Sequence, residues 1–141
     1  MSEAPKLQYA ALPYRKCADG RLEVMLITSR GTGRWVIPKG WPVAELTPHE
    51  SAAREAFEEA GVVGRITEHP IGKYDYGKEL DAGSCVVCAV KVFGLEVEQQ
   101  LPSWPEQSQR RTQWFDATEA ANAVREPELS GIFSNLGKFL R

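Results

Sequence analysis

Cysteine and histidine are scarce in this chain, with three of the first and two of the second among 141 residues. An odd, small number of thiols makes no disulfide framework and suits a reducing compartment, so a cytoplasmic location is expected. Cys85-Val86-Val87-Cys88 has the spacing of a metal or redox pair. It lies in a β-rich run, Cys85 to Phe93, where positions three apart face opposite sides of a strand. No second cysteine pair exists and His49 and His69 stand alone, so zinc is not expected and the cysteines read as small buried residues. No apolar run is long enough to span a bilayer, and residues 1–6 lack the apolar core of a signal peptide. Repeats and low-complexity stretches are absent as well. A net charge of -2 disfavours a general nucleic-acid binder.

What is present is an ordinary globular composition, 43% hydrophobic and 26% charged, which excludes disorder as the expectation. A chain of this length buries a core without staples, so 1–141 is read as one domain. Strands are expected at Gln8–Tyr14 and Leu22–Ser29, joined by a turn at Ala18-Asp19-Gly20-Arg21. Further strands are expected in Val62–Tyr76, broken near Pro70, and at Ser84–Phe93 and Gln113–Phe115. A helix at Ala117–Val124 is capped by Asp116. Leu129, Ile132, Phe133, Leu136 and Leu140 recur at helical spacing and predict an amphipathic terminal helix. Leu101–Gln109 is the longest expected loop. Strands mixed with helices suggest an α/β fold with a mixed sheet between helical layers.

The informative segment is Gly40 to Val62, GWPVAELTPHESAAREAFEEAGV. Thr47-Pro48-His49-Glu50 fits a capping box with proline at the first helical position, and Gly61 suits a left-handed helix end. The helix is therefore expected over Pro48–Ala60, after a short strand at Trp35 and a Pro/Gly-rich loop. At about 100° per residue, Glu55, Glu58 and Glu59 fall in one arc, with Ala53, Ala56, Phe57 and Ala60 roughly opposite. Like charges on one face repel, and a hard divalent cation such as Mg²⁺ removes that cost. Basic residues Arg15, Lys16, Arg30, Arg34 and Lys39 lie in the segments expected to surround the helix. A bound cation with basic neighbours suits a polyanionic substrate.

The segment resembles the Nudix hydrolase signature, G-x5-E-x7-R-E-U-x-E-E-x-G-U, with U a bulky aliphatic. Gly40, Arg54, Glu55, Glu58, Glu59, Gly61 and Val62 match at the required spacing. Two positions depart from it. Leu46 stands where the signature has its first glutamate, with Glu45 one residue early, and Ala56 stands at an aliphatic position. Tyr9–Arg15, Val24–Arg30, Arg34–Gly40, Trp104–Glu106, Arg110–Phe115 and Glu119-Ala120 are similar to one branch, the diphosphoinositol polyphosphate phosphohydrolases, which also act on diadenosine polyphosphates.

The resemblance implies an α/β/α sandwich and a Mg²⁺-dependent, or Mn²⁺-dependent, pyrophosphohydrolase acting on a small polyphosphate. It implies Glu55 and Glu59 as metal ligands, Glu58 as general base or further ligand, and a Gly40 carbonyl near the metal. Arg54 is read as orienting the glutamates, with a plain surface ion pair as the alternative. Glu79 and Glu106 are reserve bases outside the signature. Arg34 and Lys39 are candidates for substrate phosphates, followed by Ser29 and Arg111. Trp35 and Trp41 suit either core packing or stacking on a base. Leu46 is expected to staple the helix start to the core. Other nucleoside diphosphate derivatives, RNA 5′ ends, and a non-catalytic ligand sensor are the competing readings. The intact Arg54-Glu55 and Glu58-Glu59 pairs argue against a sensor.

Overall fold

The computed structural model describes residues 4–80 and 83–140. Strands β1 (Lys6–Lys16) and β2 (Leu22–Thr28) pair antiparallel, Lys16 opposite Leu22, around the expected turn, where Gly20 takes φ 89°. Strand β3 (Trp35–Val36) adds to β2, and β4 (Lys39–Gly40) pairs with β1, Gly40 opposite Tyr9. The segment before the acidic helix is thus tied to the sheet by its own backbone. Strands β5 (Val62–Ile66) and β6 (Gly72–Glu79) both lie antiparallel to β7 (Cys85–Gln100), which runs parallel to β1. Strand β8 (Thr112–Asp116) closes on β2. The result is a mixed sheet, as expected.

Helix α1 (Pro48–Ala60) has the expected bounds and both expected caps. The Thr47 side chain accepts from the Glu50 amide, the Glu50 carboxylate accepts from the Thr47 amide at 2.8 Å, and Gly61 adopts φ 71°. Ala52, Ala56 and Ala60 are fully buried against Ala11, Met25, Ile27, Phe93 and Leu95 on one side of the sheet. Small side chains let the helix backbone come close to the strands. Ala53 and Phe57, placed with this face in the sequence reading, are only half-buried. The other face packs Ala10, Leu12, Val24, Leu26 and Tyr74 against α2 (Ala117–Ala123), α3 (Pro127–Ser134) and α4 (Leu136–Phe139). Alternation along β1 sends Ala10 and Leu12 to one layer and Ala11 to the other, which makes the α/β/α sandwich.

Three expectations needed revision. The strand expected to end at Phe93 runs to Gln100, because β5 pairs with its polar end. The terminal helix is two short helices broken at Asn135, which lies outside helical geometry at φ -113°, ψ 17° while its side chain donates to the Gly131 carbonyl at 2.9 Å. Leu46 belongs to neither core cluster, and the helix position it would staple is Ser51, whose hydroxyl accepts from the Val43 amide at 3.3 Å.

Candidate active site

A cleft of about 690 Å³ opens where β1 parts from β2 and takes β4 as its neighbour. From α1 it receives Glu55 and Glu59, and from the loop before β8 it receives Glu106 and Arg110. Ser29, Arg30, Lys39, Gly40, Trp41, Tyr76, Lys78 and Gln8 complete its walls. Polar groups of both signs therefore meet in one cavity.

The three helix carboxylates are not equivalent. Glu59 is nearly buried at 6% exposure, Glu55 is half-buried, and Glu58 turns outward to Arg54, whose Nε donates to Oε1 at 2.9 Å. The helix places them in one arc, but that arc straddles the edge between core and solvent, so each step around it changes depth. Burial pushes the Glu59 carboxyl up to about 8, opposed by the Arg110 guanidinium and aided by a hydrogen bond and charge from Glu55. Glu55 is also raised, first by burial, with the charges of Glu58 and Glu106 adding to it and its hydrogen bond to Glu59 opposing it. Both carboxyls thus sit above the usual carboxylate range, burial being the first cause in each. The Lys39 amide donates to Glu59 Oε1 at 3.3 Å, and Arg110 Nη2 lies 3.8 Å from the same oxygen.

These residues fit a divalent cation. A Cβ on Gly40 would fall 2.5–2.7 Å from the Glu55 carboxyl atoms, so only glycine lets the backbone lie against that carboxylate. A buried and a half-buried carboxylate, both raised above their ordinary range, form a hard oxygen donor set that a cation would neutralise. Among the described residues no three His, Cys, Asp or Glu side chains already converge as ligands, because Glu58 is held away by Arg54. Glu55, Glu59 and Gly40 meet in the cleft lining.

The cations divide differently from the sequence reading. Lys39 does line the cleft, its ammonium 4.9 Å from the centre of the Tyr76 ring, and burial lowers it to about 8 against the opposing pull of Glu59 and Glu126. Ser29 lines it too, its hydroxyl 2.6 Å from that of Thr32. Arg34 and Arg111 do not reach it. Arg34 turns to Glu126 at 2.9 Å and lines a separate depression with Trp35 and Arg125. Arg111 is exposed, its guanidinium 5.7 Å from the Trp35 ring centre. In their place stand Arg30, Lys78 and Arg110. Lys78 and Arg110 are the cations that sequence reasoning missed. Arg110 and Arg111 precede β8 in the chain, Arg110 with an extended backbone, and of the two only Arg110 turns into the cleft. Arg110 Nε donates to Glu106 at 2.9 Å and Nη1 to the Thr28 carbonyl at 3.2 Å.

Of the reserve bases, Glu106 lines the cleft and Glu79 does not. Cys85 is exposed and Cys88 buried, so they face apart as alternation requires, but the buried reading fails for Cys85. Trp35 packs edge-to-face on Phe115 at 5.0 Å, whereas Trp41 stands 45% exposed at the cleft lip.

A mixed sheet thus lies between helical layers, with carboxylates of a capped helix and several cations lining one cleft. The chain belongs to the Nudix family: the NUDIX domain profile matches residues 14–136. Nudix hydrolase 13, mitochondrial, from Arabidopsis thaliana is 33% identical, covering 96% of this chain and 74% of its own length. Diphosphoinositol polyphosphate phosphohydrolase 3-beta from Bos taurus is 29% identical over 87% of this chain and 71% of that protein. The crystal structure of the C. elegans Ap4A hydrolase shares the fold at a TM-score of 0.68 and 20% identity, covering 98% of this chain and 100% of that one. The chain spans roughly half to three quarters of the length of the curated relatives it matches.

Proposed function

We propose that this hydrolase cuts a phosphoanhydride bond of a diadenosine polyphosphate or diphosphoinositol polyphosphate type substrate, with Mg²⁺ or Mn²⁺ held by Glu55, Glu59 and the Gly40 carbonyl. The observation that carries the reading is the cleft itself, where Arg30, Lys39, Lys78 and Arg110 face the carboxylates Glu55, Glu59 and Glu106. Four cations around one cavity suit a chain of phosphates more than a single one. The bound cation would supply charge neutralisation at phosphate oxygens and acidify a water.

Lys39 and Arg30 neutralise phosphate oxygens, and Arg110 holds Glu106 and Glu59 in place from beneath. Glu106, anchored by Arg110 and open to the cleft, is a better-placed proton acceptor than Glu58, which lies outside the lining and is tied to Arg54. Arg54 then orients the outer edge of the helix. Cys17, Cys85 and Cys88 are all free thiols, which supports a reducing, cytoplasmic setting. A hydrolysis screen with added Mg²⁺ across dinucleoside polyphosphates, inositol pyrophosphates, ADP-ribose and nucleoside triphosphates tests the assignment. Dinucleoside polyphosphates or inositol pyrophosphates should be the best substrates. ADP-ribose as the best substrate would overturn the substrate class, and binding without turnover would make the protein a sensor.

A further inference from the structure

Beyond the phosphate cleft lies a second recess of about 570 Å³, and Trp41 borders both. The register shows how they are joined. On β1, Lys6 and Gln8 share a face by alternation, Gln8 lining the cleft and Lys6 the recess. On β6, Tyr76 and Lys78 line the cleft, and Leu80, two residues further along the same side, lines the recess. Lys78 pairs with Val86 and Tyr76 with Cys88, which in turn pairs with Lys6, so these residues lie side by side on one sheet face. The Tyr76 hydroxyl donating to Gln8 Oε1 at 2.7 Å ties the two strands on that face.

Chemistry changes along this face. Beside the carboxylates it is cationic and polar, with Gln8, Lys39, Tyr76 and Lys78. Past Trp41 it becomes more apolar, with Leu80 and Val86 on the face, Ser84 and Cys85 closing the edge where β7 starts, and Lys6 as the single charge. Trp41 and Leu80 are each about 45% exposed, a cost the core does not explain, because neither belongs to a buried cluster. Trp41 follows Gly40 directly, so its indole is one residue from the backbone placed against Glu55.

We propose that this recess is the nucleobase subsite: a nucleoside polyphosphate lays its phosphates in the cleft and stacks its base on Trp41, over Leu80 and Val86. A ligand charged at one end and planar and apolar at the other matches the face in order. A pyrophosphorylated inositol, charged all round, leaves the recess empty. The inference rests on the polyphosphate reading above and narrows it to substrates that carry a base.

The test compares adenosine pentaphosphate with inorganic pentaphosphate, which has no base, by direct binding and by competition for turnover. In the wild-type chain the base-bearing ligand should bind more tightly and quench tryptophan fluorescence. Trp41→Ala should cut the preference for the base-bearing ligand by about 10–100-fold, the range that loss of one base–aromatic stack allows. Trp41→Phe should keep most of the preference, and Leu80→Asp should lose it independently. Val87→Ser, on the opposite face of β7, should leave the preference as it is. An equal affinity for the two ligands in the wild-type chain, or an unchanged preference in Trp41→Ala, overturns the proposal. Failure to hydrolyse any polyphosphate would instead remove the proposed activity, and the binding arm would still decide the subsite.

Discussion

Glu59 and Arg110 decide the chemistry at the residue scale. Glu59 combines burial, the Lys39 amide and the Arg110 guanidinium on one oxygen, which is how a protein holds a carboxylate ready for an ion. Arg110→Ala should free Glu106 and leave Glu59 without its counter-charge. We expect turnover to fall by about 10–100-fold, the usual range for a group that orients ligands, with Arg110→Lys restoring little because it cannot fork between Glu106 and Thr28. Steady-state kinetics on the best screened substrate reads this out. Glu106→Gln should cost more than Glu58→Gln, about 10²–10⁴-fold if Glu106 accepts the proton. The reverse order would return that role to Glu58. The glutamates were legible in the sequence because helical spacing converts directly to angle. Arg110 was not, since which of two adjacent arginines turns inward depends on the pairing of β8 with β2 and on Glu106, a partner four residues back.

Among the elements, α1 and the loop that follows β7 act as one unit. The Trp104 ring covers Gly61, the Leu101 amide donates to the Gly61 carbonyl at 2.8 Å, and the Glu106 amide donates to the Glu58 carbonyl at 3.0 Å. A loop that looks irregular in sequence is thereby fixed to the end of the acidic helix, and it brings Glu106 to the cleft. Gly61→Ala would force a side chain into a left-handed position and into the Trp104 ring. We expect a loss of about 2–4 kcal/mol in denaturant unfolding, from strain and overpacking together. Gly40→Ala should behave differently. The atom it meets is the mobile end of Glu55, so stability should change little while cation affinity falls, which calorimetric titration with Mg²⁺ would resolve. Caps and bounds of α1 were legible because local residues carry them. The length of β7 and the break at Asn135 were not, because a partner strand and a side-chain hydrogen bond set them.

For the whole molecule, the raised Glu59 carboxyl links stability, pH and cation binding. The Glu59 carboxyl titrates near 8 when folded, against an ordinary value of 4.5. Between those values the folded chain holds a proton the unfolded chain has lost. Metal-free stability should therefore fall as pH rises from about 4.5 to 8, and Glu59→Gln should flatten that slope in thermal unfolding. Lys39, lowered to about 8, is charged in both states across that window. Above pH 8 the unfolded chain holds the extra Lys39 proton, so that residue adds stability as pH climbs further. A cation held by Glu59 must displace the proton on that carboxyl, so affinity for Mg²⁺ should rise with pH through the same range. The sandwich itself was legible from strand and helix patterning joined to the signature. The depth of each carboxylate depended on how α1 is rotated against β1 and β7.

The most direct measurement is Mg²⁺ titration of the wild-type chain and Glu59→Gln, by calorimetry and by turnover in the same buffer. The wild-type chain should bind the ion with proton release, and the variant should lose binding and about 10²–10⁴-fold in turnover while unfolding cooperatively. Equal Mg²⁺ affinity and equal turnover in the two proteins would contradict the assignment of the cation to α1.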